Sequence, residues 1–151
     1  MANHGGVRGD DAGKQILGRK RHLLVDTLGL ILAVVVPPAN IQDRAGARLV
    51  LGKLTQAFGW RRLIWVDGGY AGNALAQWLK ALLPRRGLRL EAVKRTELHT
   101  CKILPRRWVV ERTFGWLSNY RRFARDYEFH TENSEAMILI AATRLMLRRL
   151  A

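Results

Sequence analysis

Leu30 to Val36 reads LILAVVV, seven consecutive apolar residues ending in three valines. β-branched side chains favour strands. An apolar run without alternation belongs to a strand covered on both faces, because a half-exposed strand alternates apolar with polar. Pro37 and Pro38 close the run, since neither can donate to a ladder. Arg19 to Val25 forms a second β-rich run, and Asp26-Thr27-Leu28-Gly29 between the two has the Asp-x-x-Gly pattern of a tight turn. The chain therefore contains a strand pair whose second member needs packing layers above and below it.

The remaining elements can supply those layers. Ala47, Val50, Leu51, Leu54 and Phe58 recur at helical spacing, which predicts a helix over 43–58 with Asp43 as its N-cap. A short strand, Arg61 to Val66, ends at Asp67-Gly68-Gly69-Tyr70. A helix from about Asn73 to Leu83 carries Leu75, Leu79 and Leu82 and stops at Pro84, and Leu88 to Lys94 is a further strand. Pro105 suits the start of a helix that includes Trp108 to Leu117. A last helix spans about Ser134 to Leu150, with Glu132 and Glu135 at its N-terminal end and Arg148 and Arg149 at its C-terminal end, as the helix dipole favours. Interleaved strands and helices make an α/β domain with a mixed sheet. Residues 1–18, rich in Gly and polar side chains, read as a flexible N-terminal arm, leaving 19–151 as the folded part.

Charge and composition narrow the function. The formal net charge is +14, and 48% of residues are hydrophobic. That apolar content excludes a disordered basic tail. No apolar run approaches the ~20 residues of a membrane span, so no membrane partner is expected. Cys101 has no second cysteine to pair with, and residues 1–13 lack the apolar core of a signal peptide, so a cytoplasmic location is expected. Histidines 4, 22, 99 and 130 are scattered, with no HExxH and no GxxxxGK[ST], which argues against zinc and a nucleoside triphosphate loop. Cys101 beside His99 reads as incidental, since nothing nearby would lower its pKa. A strongly basic globular domain points to a polyanion, with DNA or RNA the default.

Two carboxylates stand out. Asp67 sits where a strand leaves the sheet, the position at which α/β folds gather ligands, although on spacing alone it serves equally as a loop cap. Glu111 lies beside Trp108 and Phe114 on its helix, where a carboxylate is costly unless paired or bound to a cation. A surface pair with Arg107 or Arg112 is the alternative. Asp26 fits the hairpin turn better than a metal site. Two acids of this kind suggest Mg²⁺ or Mn²⁺, hard cations that take oxygen ligands. The basic residues gather as Arg19-Lys20-Arg21, Arg61-Arg62, Arg85-Arg86, Arg106-Arg107, Arg121-Arg122 and Arg148-Arg149, and Trp116 and Tyr120 precede the fifth group. Interleaved aromatic and guanidinium groups suit a phosphate backbone or a splayed base.

GRKRHLLVDTLGLILAVVV, PPANIQDRAGA, LIWVDGGYAG and LPRRWVVERTFGWLSNYRRFARDYE, in that order, resemble the DDE transposases of bacterial insertion sequences over about Arg8 to Leu150. The resemblance implies a ribonuclease-H-like fold, Mg²⁺ or Mn²⁺, and double-stranded DNA as partner, both transposon terminal inverted repeats and target. It also implies metal-assisted strand cleavage and joining by a homo-oligomer at the bacterial nucleoid. Asp67 in DGGYAG matches the second catalytic aspartate, Glu111 in RWVVERTF the catalytic glutamate, and Arg107 the basic residue of the arginine-and-glutamate signature. Arg19, Lys20, Arg21, Arg121 and Arg122 become candidate DNA contacts. Leu104 and Ser118 stand where the family carries a tyrosine and a lysine, so those two roles are not carried over.

The family's first catalytic aspartate lies on a central strand ahead of the Arg19–Val25 run. Asp10 and Asp11 fall instead in a loop that matches a family linker. The expectation is thus a truncated or second-frame C-terminal part, a partial catalytic domain over 19–151 whose two flanking strands lack their shared neighbour and which cannot cleave DNA alone. The alternatives are a non-catalytic DNA-binding regulator or inactive remnant and, less favoured because it needs neither acid, a structural basic protein.

Overall fold

The computed structural model describes residues 6–57, 63–67, 70, 72–84, 88–93 and 108–150. β3 (His22–Val25) and β4 (Ile31–Val35) form the expected antiparallel hairpin, in register from His22 opposite Val35, with a shift at Leu24/Val25. Asp26 is the turn residue: its Oδ1 accepts the N–H groups of Leu28 and Leu30, both at 2.8 Å. Gly29 adopts φ 85°, a left-handed conformation that an L side chain seldom takes.

β4 is covered on both faces. Ala33 and Val35 pack against Ala47, Val50 and Leu51 of α1 (Asp43–Ala57). Val34 and Val36 point the other way, against Leu117 of α3 (Trp108–Ser118) and Ile138, Ala141 and Ala142 of α4 (Thr131–Leu150). β3 follows the same alternation, Leu24 towards α1 and Leu23 and Val25 towards α3 and α4. Thr113 ties α3 to the hairpin by donating its hydroxyl to Gly29 O at 2.8 Å.

β5 (Leu63–Asp67), α2 (Asn73–Leu82) and β6 (Arg89–Val93) make a parallel crossover unit in register from Leu63 opposite Arg89 to Asp67 opposite Val93. Ile64, Leu75, Leu79 and Leu88 join the α1 side of the core.

Five details differ from the sequence reading. Residues 9–18, read as part of an arm, contain a small antiparallel hairpin, β1 (Gly9–Asp11) and β2 (Ile16–Gly18). Its signal is local and polar: Asp11 Oδ1 accepts from Gly13 N at 3.1 Å, which no apolar alternation announces. Asp43 lies inside the first turn of α1 and pairs with Lys20 Nζ at 3.4 Å. α4 begins three residues early, at Thr131, with Ser134 N donating to His130 O; the Ser134 hydroxyl is buried and donates to Asp126 Oδ1 at 2.7 Å. Glu135, expected to serve the helix dipole, accepts from Val36 N and Lys53 Nζ, joining α4 to the end of β4 and to α1. Finally, the mixed sheet is divided. Among the described residues the strands form three two-stranded sheets, one parallel and two antiparallel. No helix among them is long and apolar enough to cross a membrane.

Candidate functional site

Asp67 is the last residue of β5 and Glu111 lies in the first turn of α3. Both are exposed, and both line one cleft of about 310 Å³ whose remaining walls come from β3 and α1. Residues far apart in sequence are thus brought to a shared opening by the β5 terminus and the α3 face. Their carboxylates are hard oxygen donors of the kind Mg²⁺ and Mn²⁺ take. In donor chemistry the two suit such an ion, while among the described residues no three His, Cys, Asp or Glu side chains converge. Arg112, the alternative partner considered for Glu111, stacks between Trp108 and Trp116, at 4.3 and 4.7 Å from their ring centres, and donates to Leu28 O at 2.7 Å. Arg107 lies outside the described residues, as do Gly68-Gly69, Cys101, Arg61-Arg62, Arg85-Arg86 and Arg106.

In the same cleft as Asp67, the buried His22 meets a half-buried Tyr70. His22 Nδ1 is 3.1 Å from the Tyr70 hydroxyl, with the rings edge to face. Burial lowers the His22 pKa below its ordinary 6.5, against the opposing pull of Asp43, so the imidazole stays neutral. Tyr70 is pushed above its ordinary 10.0, first by burial and then by the charges of Asp43 and Asp67, so it stays a phenol. Gly46 makes room for the ring, since a Cβ there would lie 2.2 Å from His22 Nε2.

The cleft opens on a larger basin of about 1230 Å³, and Arg21, His22, Tyr70 and Phe114 line both. Arg8, Lys14, Lys20 and Arg125 add charge to the basin walls, with Asp11, Asp43 and Asp126 among them. The candidate DNA contacts are placed unequally. Arg19 is an internal clamp: its side chain is 2% exposed and donates to Val7 O, Asp126, Glu128 O and Phe129 O. That burial leaves it no face for a phosphate. Lys20 pairs with Asp11 and Asp43 and donates to Ile41 O. Arg21 donates to Phe123 O at 3.1 Å and lies over the Phe123 ring. Arg121 is exposed on a short 3₁₀ turn, Arg121–Phe123, whereas Arg122 is engaged by Glu128 at 2.6 Å.

The family model described as "Transposase DDE domain" matches residues 2–146. The chain belongs to that DDE transposase family. A Burkholderia cepacia protein named as a transposase for insertion sequence element IS402 is 29% identical over 118 residues, covering 74% of this chain and 54% of the relative. The chain spans about half the length of that relative. No solved structure matches.

Sequence reasoning missed several residues of this transposase chain's cleft and basin. Arg8, Lys14 and Arg125 are single basic residues, invisible to a search for Arg doublets, and only the fold gathers them. His22 was visible as a histidine on a strand, but its Tyr70 partner lies 48 residues away. One signal was available in principle: Tyr70 closes the same DGGY motif that carries Asp67.

Proposed function

We propose that residues 19–151 are most of a ribonuclease-H-like catalytic domain of an insertion-sequence transposase, and that this chain belongs to the machinery that binds transposon ends, cuts them and joins them to target DNA. The observation that carries the reading is the placement of Asp67 and Glu111 on one cleft that opens into a basic, aromatic-lined basin. Asp67 and Glu111 would hold Mg²⁺ or Mn²⁺, which when bound activates the attacking oxygen and stabilises the leaving one. The chain's own residues do the rest. Arg21, Arg125, Arg8 and Lys14 attract and orient the phosphate backbone. Phe114 and Tyr127 offer faces on which a displaced base can stack. His22, kept neutral by burial, positions the Tyr70 hydroxyl at the edge of the cleft. Arg107 would clamp phosphate or Glu111, and Arg121 and Arg122 would extend the DNA path. Acting on chromosomal DNA, the protein would work in the bacterial cytoplasm, as a homo-oligomer when complete.

The other reading is a DNA-binding regulator that does not cut. One experiment separates the two. The chain is incubated with end-labelled DNA from the ends of its own element and Mg²⁺, alone and co-expressed with the coding segment upstream of Met1. The proposal expects salt-dependent binding without cleavage by the chain alone, and site-specific nicking in the co-expressed form that Asp67→Asn and Glu111→Gln each abolish. Nicking that survives both substitutions refutes it, and binding without nicking in either form establishes the regulator.

A further inference from the structure

α4 is apolar on two sides. Its inner face serves the core, where Ile138, Ala141 and Ala142 are buried against β4 and α3. On the opposite side Ala136, Ile140, Thr143 and Leu147 follow one another in steps of four, three and four, which places them on one face. All four are exposed, Ile140 and Leu147 at 62% each, and Leu139 beside them at 43%. The outer face of a surface helix ordinarily carries charged or polar side chains there. The one polar member of the stripe, Thr143, donates its hydroxyl to Leu139 O at 2.9 Å, so covering it leaves no hydrogen bond unmade. Contiguous exposed apolar surface marks an interaction site, and alternating steps of four and three are the seam of two packed helices.

The stripe is complementary to itself in one orientation. Exposed Glu132 lies at the N-terminal end of α4, and exposed Arg144 and Arg148 lie towards its C-terminal end. Two antiparallel copies set the acidic end of each beside the basic end of the other and oppose their dipoles. Parallel copies would instead set arginine against arginine at both positions. Side-chain size agrees with charge. With a two-fold axis at the level of Ala141 and Ala142, Leu147 meets the small Ala136 of the other copy and Ile140 meets its Thr143. Each layer then joins a larger side chain to a smaller one, whereas parallel copies would face Ala136 with Ala136 and leave that layer hollow.

We infer that the outer face of α4 is an interface between two copies of this chain, packed antiparallel through Ala136, Ile140, Thr143 and Leu147. The inference gives the homo-oligomer of the transposition reading a surface and a register, but it does not depend on DNA cutting. The contact is a modest one. A single helix stripe from each copy falls below the roughly 1,200 Å² of a standard interface, so a dissociation constant of about 1–100 µM is expected. Each copy also carries a net charge of +14, and that repulsion opposes association at low salt. The interface belongs to the opposite side of α4 from β4, which leaves the Asp67 and Glu111 cleft uncovered by it.

The test uses the 151-residue chain without DNA or metal, at an ionic strength of about 0.15 M. Sedimentation against concentration should show a monomer–dimer equilibrium, and Ile140→Glu should raise its dissociation constant at least about tenfold. Disulfide trapping in a Cys101→Ser background reads the register and does not rely on that variant. A disulfide needs Cα atoms within about 7 Å, and in the antiparallel pair the two copies of residue 136 lie about 16 Å apart along the helix. Ala136→Cys mixed with Leu147→Cys should therefore cross-link, and Ala136→Cys alone should not. A chain that stays monomeric well above the expected range overturns the inference, as does a dimer that Ile140→Glu leaves intact. Cross-linking by Ala136→Cys alone, or none in the mixture, overturns it as well. A cross-link abolished by co-expressing the upstream segment assigns the face to that segment and overturns it too. A dimer that passes these measurements and never nicks DNA counts against the transposition reading alone.

Discussion

Arg19 offers the sharpest test of how charge is used in this chain. In sequence it opens a basic triplet and invites a DNA role, yet the fold surrounds it. Nε donates to Val7 O at 2.9 Å, Nη1 to Glu128 O at 2.9 Å and Asp126 Oδ2 at 3.1 Å, and Nη2 to Phe129 O at 2.6 Å. Arg19→Ala removes all of these together. Breaking a buried ion pair costs about 3–5 kcal/mol. Asp126 is 20% exposed and keeps its bonds from Ser134 and Glu128 N, which places the loss near the bottom of that range, about 3 kcal/mol. For a domain of this size that lowers Tm by roughly 6–12 °C. Arg19→Lys should lose less, since an ammonium can reach Asp126 but cannot reproduce the planar fork. Acidity supplies an independent check. Burial raises the Asp126 pKa, but the Ser134, Glu128 N and Arg19 bonds outweigh it and hold the carboxyl below its ordinary 3.8. A carboxyl with a depressed folded pKa stabilises above its unfolded value and loses that contribution as pH falls through the folded one. The stability gap between wild type and Arg19→Ala should therefore be full at neutral pH and shrink below about pH 4. The assays are urea melts across that range and DNA titrations against salt. A variant within about 0.5 kcal/mol of wild type whose DNA salt slope drops by about one would show Arg19 to be a phosphate contact and refute the clamp.

The buried histidine yields two further predictions. Gly46→Ala would ordinarily stabilise a helix by about 1 kcal/mol, but here the new Cβ meets His22 Nε2, and a net loss of about 1–2 kcal/mol is expected in thermal melts. In a His22→Ala background the same change should become stabilising; a stabilising effect in wild type would contradict the packing. Because His22 is less basic folded than unfolded, the unfolded chain takes up its proton first. Stability should fall as pH drops below about 6.5, at up to about 1.4 kcal/mol per unit, until the folded pKa is passed. His22→Gln should flatten that slope, and an unchanged slope in urea melts between pH 7.5 and 5 would assign it to other groups.

What the sequence disclosed follows from the range of the forces involved. The run Leu30–Val36 announced a strand packed on both faces because burial leaves a direct composition signal, and Ala33 and Val35 do face α1 while Val34 and Val36 face α3 and α4. The Asp26 turn was legible because its hydrogen bonds reach only two and four residues along the chain. The β1–β2 hairpin was hidden because its strands are three residues long and its turn is held by one carboxylate. The roles of the arginines were the least legible. Arg19, Arg21 and Arg122 look alike in doublets and triplets, but their acceptors at Asp126, Phe123 O and Glu128 are chosen by tertiary contact or by the path of the 121–130 segment. Asp67 and Glu111 lie between these extremes. Each was conspicuous for its local setting in sequence, one at a strand end and one beside Trp108 and Phe114 on its helix, although the structure leaves Glu111 exposed. Their place on one cleft depends on how β5 and α3 are held against β3 and α1. A chain with +14 charge does not need every arginine for DNA: several are consumed in holding the basin's own walls, and exposed ones, Arg8, Arg121 and Arg125 among them, remain to set the affinity. The number of phosphates neutralised should accordingly be well below the formal charge, and the slope of log affinity against log salt, about 0.9 per phosphate, measures that difference directly.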